Sequence, residues 1–310
     1  MRMNQIKNTF LLASLLLAGC TADEISGTDN GIVPVPPVEL TTPLEIESAS
    51  LDAEITTRAT TALGSGSSIG VFLSGTGYTD KKNCKYQWES LSSWTAVDAG
   101  NTIYLGGAAA NVCAYHPWTN GYNDKTAIPL TSQVYASDKD ISFAGNRVLN
   151  GSSSSKSTSF TMTRAYARLQ IKLTKSADYP GTCAVSKLEL QNLIKSASLN
   201  ITSTKGSYSS TTGTTGTTVT TTGNVIPTTG TVWGDYLLIP CTPYDGAMKI
   251  VLTVDDKPMT TTIPSSKYTP VKGEYKSITL TIKGTGLGIT SVTTTAWSTA
   301  TDAGSFIPVP

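Results

Sequence analysis

The sequence predicts an all-β protein with two β-sandwich domains in tandem. Thr, Ser and Gly are abundant, and β-branched residues outnumber good helix formers through most of the chain, the composition of a secreted β protein. Apolar and polar residues alternate with period two in segment after segment. The clearest is Ala165–Leu173, where Ala165, Ala167, Leu169, Ile171 and Leu173 interleave with Tyr166, Arg168, Gln170 and Lys172. No stretch carries a convincing helix longer than two turns. At 310 residues, less a leader, there is room for two ordinary cores.

The chain opens with Arg2 and Lys7, an apolar run from Phe10 to Ala18, and Leu17-Ala18-Gly19-Cys20. A short positive region, an apolar run too short to span a bilayer and small residues before a cut make residues 1–20 a secretory signal. Leu-Ala-Gly-Cys resembles a bacterial lipobox, in which Cys20 is acylated and becomes the mature N-terminus. Asp23-Glu24 resembles the surface-export signal of some Gram-negative lipoproteins. Acyl chains, each worth roughly 0.8 kcal/mol per buried methylene, would hold such a protein on a membrane with no transmembrane helix. Residues 21–43 are polar with Gly31, Pro34, Pro36, Pro37 and Pro43, an extended tether.

Leu44–Thr61 follows with two short alternating runs. Leu44 and Ile46 share one phase, and Leu51, Ala53 and Ile55 share the other, with Glu45, Glu47, Asp52 and Glu54 between them. A strand with one buried face and a kink or bulge near Ser48–Ser50 fits this pattern. The run ends at a lone basic residue, Arg58, before Ala59 and small polar residues. A buried strand leading into an accessible Arg-Ala bond reads as a strand meant to be removed, so residues 21–58 read as tether and removable strand.

The first sandwich, 59–178, contains candidate strands at Ile69–Ser74, Tyr86–Trp88, Thr102–Leu105, Ala110–Tyr115, Asp140–Phe143, Ser159–Met162 and Ala165–Leu173. Asp178-Tyr179-Pro180-Gly181 is a turn and a domain boundary. The second sandwich, 179–288, takes Val185–Leu190, Ala197–Ile201, Tyr236–Pro240, Met248–Val254, Met259–Ile263 and Tyr275–Ile282. Ser203–Gly230 has almost no large apolar side chain and reads as a solvated hairpin or mobile loop. The segment 289–310 follows the glycines Gly284, Gly286 and Gly288. Its alternating Val292, Thr294 and Ala296 lead to Trp297.

Little suggests chemistry. Charged residues are 15% of the chain, against roughly 25% in typical domains, and net charge is +1, with no basic patch for nucleic acid. Gly66-Ser67-Ser68-Ile69-Gly70 fits the Gly-x-Ser-x-Gly pattern, but that motif needs a strand before it and a helix after it. His116 is the sole histidine. One His and scattered cysteines offer no metal-ligand spacing, and the Gly284–Gly288 run lacks dinucleotide spacing. Catalytic residues, metal and cofactor are therefore all expected to be absent. Cys84, Cys113, Cys183 and Cys241 could form two disulfides in any of three pairings, or stay as buried thiols. Trp88, Trp94, Trp118, Tyr104 and Tyr122 read as core aromatics before they read as a sugar platform.

Several of these segments together resemble the fimbrillin family, the type V pilins of Bacteroidales. They are the lipobox Cys20, the strand ending in Arg58-Ala59, Ile69-Gly70-Val71-Phe72, and Ala114-Tyr115-His116-Pro117-Trp118. Met162-Thr163-Arg164-Ala165-Tyr166-Ala167-Arg168-Leu169-Gln170-Ile171, Gly273-Glu274-Tyr275-Lys276 and Val292…Trp297 complete the set. His116 stands where the family often has another aromatic.

The resemblance implies two transthyretin-like, Greek-key β-sandwich domains. It also implies a lipoprotein precursor at the outer membrane, cut after Arg58 by an arginine-specific protease. The removable strand, with Leu51, Ala53 and Ile55 as core positions, then leaves a groove. The C-terminal strand of the next subunit fills it, with Ile289, Val292, Thr294, Ala296 and Trp297 as the candidate donor. The expected partners are other pilin subunits in a surface fimbrium used for adhesion. Two alternatives stay open. Ile289–Trp297 could instead be the last strand of the second sandwich. The whole protein could instead be a monomeric surface lipoprotein that binds glycans, or a tip adhesin.

Overall fold

The computed structural model describes residues 39–52, 61–89, 93–212, 217–225, 227, 230–295 and 297. Cys20, Ala53, Ile55, Arg58, Ala59 and Ala296 lie outside them. The strands begin with β1 (Thr42–Pro43), β2 (Glu45–Leu51), β3 (Thr61–Ala62), β4 (Ser68–Ser74), β5 (Lys81–Glu89) and β6 (Ser93–Ala96). Next come β7 (Tyr104–Leu105), β8 (Ala110–His116), β9 (Ile128–Thr131), β10 (Gln133–Val134), β11 (Ser142–Leu149) and β12 (Ser157–Arg164). β13 (Ala167–Lys175), β14 (Val185–Gln191), β15 (Ser196–Asn200), β16 (Ser207–Thr212) and β17 (Thr217–Val225) follow. The last are β18 (Thr231–Leu238), β19 (Ala247–Val254), β20 (Lys257–Pro264), β21 (Tyr275–Lys283) and β22 (Gly286–Thr295). The protein is all-β, as its composition predicts.

An eight-stranded sheet runs β12-β11-β8-β4-β5-β6-β2-β3, and β2 also pairs with β12, so the sheet closes on itself through β2. β4 is buried along nearly its whole length because Ile69, Val71, Phe72 and Leu73 leave it no polar face. Ile69, Val71, Tyr86, Val112, Phe160 and Met162 share one core with the apolar side chains of β2.

Two further sheets face a second core. One is five-stranded, β10-β18-β13-β21-β22, and the other is four-stranded, β17-β14-β19-β20. Leu169, Ile171, Ile278 and Leu280 from the first meet Leu188, Leu190, Ile250 and Leu252 from the second, the interdigitation of a sandwich. A third cluster joins Phe72, Tyr115 and Phe143 to Tyr166, Leu199, Leu237, Tyr275 and Trp297. Strand pairing joins β13, on the near side of the expected 178/179 boundary, to β18 and β21 on its far side.

Some local expectations change. The alternating run at Ala165–Leu173 is broken by a bend at Ala165 and Tyr166, so β13 starts at Ala167 and both bend residues enter the third cluster. The Thr/Ser tract is not a loop throughout. β16 pairs with β15 and β17 pairs with β14, in two different sheets. Threonine suits an extended edge even where it has little to bury, and Val219 supplies a core contact. The four cysteines after Cys20 are free thiols, with Cys84, Cys113 and Cys183 buried.

Candidate functional site

β2 is held strongly on one side and weakly on the other. It runs parallel to β12, with six residue pairs from Ser157↔Glu45 to Met162↔Leu51. Toward β6 the only pair among the described residues is Ile46↔Trp94, and toward β3 there are Ser50↔Ala62 and Leu51↔Thr61. The register skips Glu47, because Thr158 pairs with Ile46 and Ser159 with Ser48. That bulge turns the two phases read in the sequence onto one face. Leu44, Ile46, Ala49 and Leu51 are 6%, 5%, 2% and 5% exposed, all in one core. Their burial is worth roughly 5–10 kcal/mol in all.

The other face of β2 is polar. Lys156 Nζ donates to Glu45 Oε1 at 2.6 Å, and the Ser157 and Ser159 hydroxyls donate to Glu47 at 2.7 and 3.3 Å. Exposed pairs of this kind contribute little. The apolar face and the β12 ladder hold the strand. Trp94, opposite Ile46, stacks edge-on against Trp88 at 5.6 Å, and its buried indole N–H has no acceptor among the described residues.

Ile289, Val292 and Thr294 lie in β22, the outer strand of the five-stranded sheet. β22 forms a hairpin with β21, from Tyr275↔Thr295 to Lys283↔Gly286. Leu287, Ile289 and Val292 are half-buried against the second core, and Thr294 is exposed. The segment is thus paired within its own chain. Trp297 is 9% exposed in the third cluster, with the Arg164 guanidinium 4.4 Å from its ring and the Tyr275 ring 6.3 Å away.

Arg164 is the last residue of β12 and makes a buried ion pair with Asp140. Beside it, Arg168 stacks on Tyr135 and Tyr275 at 3.7 and 4.4 Å and binds Asp235 through Nε and Nη2. Burial, helped by the Arg164 charge, pulls the His116 imidazole down to about 4. Its Nδ1 is buried with no partner among the described residues. Sequence reasoning passed over this Arg–Trp stack, since nothing in the spacing of Arg164 and Trp297 brings them together.

The other sequence candidates do not converge. Gly66–Gly70 forms a turn leading into strand β4 rather than a helix. Trp118 stands over Lys85 at 4.5 Å, Tyr122 lies against Tyr115 at 5.8 Å, and Tyr104 is exposed on β7, so the aromatics make no common platform. No group of three or more His, Cys, Asp or Glu residues able to hold a metal occurs among the described residues. No helix among them is long and apolar enough to cross a membrane.

Solved structures share the fold. A candidate cell adhesion protein from Bacteroides ovatus is 18% identical with a TM-score of 0.60, covering 84% of this chain and 99% of its own. One from Bacteroides uniformis is 20% identical with a TM-score of 0.57, covering 83% and 98%. A Bacteroides thetaiotaomicron structure described as a candidate polysaccharide-binding protein is 8% identical with a TM-score of 0.51, covering 82% and 98%. No curated protein matches the chain in sequence. A family model described as fimbrillin-like matches residues 57–297, most of the sequence from just before Arg58 through Trp297. The chain belongs to the fimbrillin-like family, which supports a fimbrial or adhesin role at the cell surface and indicates no catalytic one.

Proposed function

We propose that this protein is a structural pilin that polymerises by strand exchange. It leaves the cytoplasm as a lipoprotein acylated at Cys20 and reaches the outer membrane. An arginine-specific protease then cuts it between Arg58 and Ala59. β2 departs with the cut piece, and a strand from another subunit takes its place. Each subunit carries two sandwiches. The pairing of β13 with β18 and β21 favours a division near residue 165 over one at 178.

The observation that carries this reading is the asymmetry of β2: an apolar face in the core, one full ladder to β12, and a single pair to β6. Such a strand can leave without breaking the rest of the sheet. Its departure exposes both a vacant core and the unpaired edge of β12, a template for another strand. Repeated head to tail, that contact does not close and makes a fibre.

Replacing Arg58 with Ala tests the reading. The precursor should stay folded and lipidated but unpolymerised, while native fibres should yield an N-terminus at Ala59. Normal fibres from the Arg58→Ala protein would refute processing at this bond. A native surface protein that keeps acylated Cys20 and stays monomeric would favour a glycan-binding lipoprotein instead.

A further inference from the structure

The chain holds three Asn-Gly pairs, Asn30-Gly31, Asn120-Gly121 and Asn150-Gly151. The first lies outside the described residues. An asparagine before glycine can be attacked by the next backbone nitrogen, because glycine has no side chain in the way. The attack needs an asparagine amide free to swing round and a glycine N–H that no acceptor holds. The structure withholds both from one pair and grants both to the other.

At Asn150-Gly151 the backbone and side chain are tied. The Gly151 N–H donates to Gly106 O at 2.7 Å, and Asn150 Oδ1 accepts from Ser152 N at 3.0 Å. Gly151 O takes the Thr42 hydroxyl at 3.1 Å. Leu105 O and Gly106 O lie 3.0 and 3.2 Å from where a Cβ on Gly151 would stand, so this glycine is hemmed in by backbone. Asn120-Gly121 is the tip of a turn closed by Tyr122 N on Thr119 O. Both residues are exposed. Gly121 has φ +91°, the left-handed region that glycine supplies in such turns, and nothing lies within 4 Å of its missing Cβ. Neither the Asn120 amide nor the Gly121 N–H has a hydrogen-bond partner among the described residues.

We infer that Asn120 is a site of spontaneous deamidation, which marks older molecules of this protein with a new carboxylate. The Gly121 nitrogen gives its proton to solvent and bonds to Cγ of Asn120. The Cγ–Nδ2 bond breaks and ammonia leaves, closing a cyclic imide. Water then opens the imide. Attack at Cγ gives aspartate, and attack at the main-chain carbonyl gives isoaspartate, in which the chain runs on through Cγ. One water enters and one ammonia departs, with no redox change and no enzyme. The flanks of the turn hold the fold while this happens. Trp118 N donates to Ser68 O, Thr119 O accepts from Asn83 Nδ2 and the Tyr115 hydroxyl, and the Tyr122 ring lies 5.8 Å from that of Tyr115. The extra backbone atom of isoaspartate is therefore taken up in the exposed tip.

The test is ageing of the full-length protein in heavy-oxygen water at mildly alkaline pH, followed by trypsin digestion in ordinary water and peptide sequencing by mass spectrometry. The heavy label separates ageing from changes during digestion. The expected result is labelled aspartate and isoaspartate at position 120, forming at least about tenfold faster than at position 150, where two hydrogen bonds must break first. In urea the two rates should converge, since the dipeptides are the same. The melting temperature should stay constant as the label accumulates. Equal rates at the two positions in the folded protein would overturn the proposal. So would an Asn120 that stays intact while the urea-treated protein converts.

Discussion

Ile46→Ala should weaken the precursor and leave the assembled fibre unchanged. Ile46 is 5% exposed, lies opposite Trp94 and belongs to the core closed by β2. Truncating a buried isoleucine to alanine removes the transfer energy of its methyls and leaves a cavity, about 3 kcal/mol together. For a cooperative unit of this size that lowers the melting temperature by about 6–12 °C. On the strand-removal reading the side chain departs with β2, so fibres should dissociate in heat and detergent as the unsubstituted ones do. Ile171→Ala is the matched control. Ile171 is fully buried in the second core and stays with the mature subunit, so it should cost a similar amount in precursor and fibre alike. Urea titration of the precursors and thermal dissociation of the fibres read the two halves. Equal weakening of precursor and fibre by Ile46→Ala would show that β2 stays, and the removal argument would fail.

Other outcomes follow from single side chains. His116 binds its proton only near pH 4 when folded but near 6.5 when unfolded. Stability should therefore fall as pH drops from about 6.5 to about 4, by up to about 3 kcal/mol. Urea midpoints of native and His116→Gln proteins at pH 7 and 4.5 measure it; equal slopes would remove His116 as the cause. Trp297→Ala removes the stack on Arg164 and Tyr275. It should raise amide exchange in β22 and at the Tyr275 end of β21; exchange as slow as in the unsubstituted protein would show that the stack does not hold them.

The elements that can be read locally are the ones visible in the sequence. β4 is legible because Ile69, Val71, Phe72 and Leu73 leave it no polar face, and β13 because its alternation is unbroken from Ala167 onward. β17 is not, since its strand character comes from backbone pairing with β14 while its threonines resemble a solvated tract. In β2 the apolar residues are plain, but simple alternation puts them on two opposite faces; the bulge at Glu47 brings them onto one, and that bulge exists only against β12. The Arg164–Trp297 stack joins residues 133 apart, and no periodicity encodes it. Strands can thus be read from their own residues, whereas the site depends on pairings made over long separations.

The closure of the eight-stranded sheet also sets an order on folding. β2 is synthesised before every strand of that sheet, yet its ladder partner β12 lies about 110 residues later. Closing a loop of that length costs about 4 kcal/mol of chain entropy, so β2 is the first strand of that sheet to be made and among the last to dock. Until Phe160 and Met162 arrive, β2 has no ladder partner beyond its pair to β6 and its two pairs to β3. Glu45, Glu47 and Asp52 set charge among those apolar residues, the device that keeps a waiting strand from sticking to other chains. β22 has no such delay. It folds back on β21 through the Gly284-Thr285 turn as soon as both are made, and its uncharged sequence never has to wait in the open.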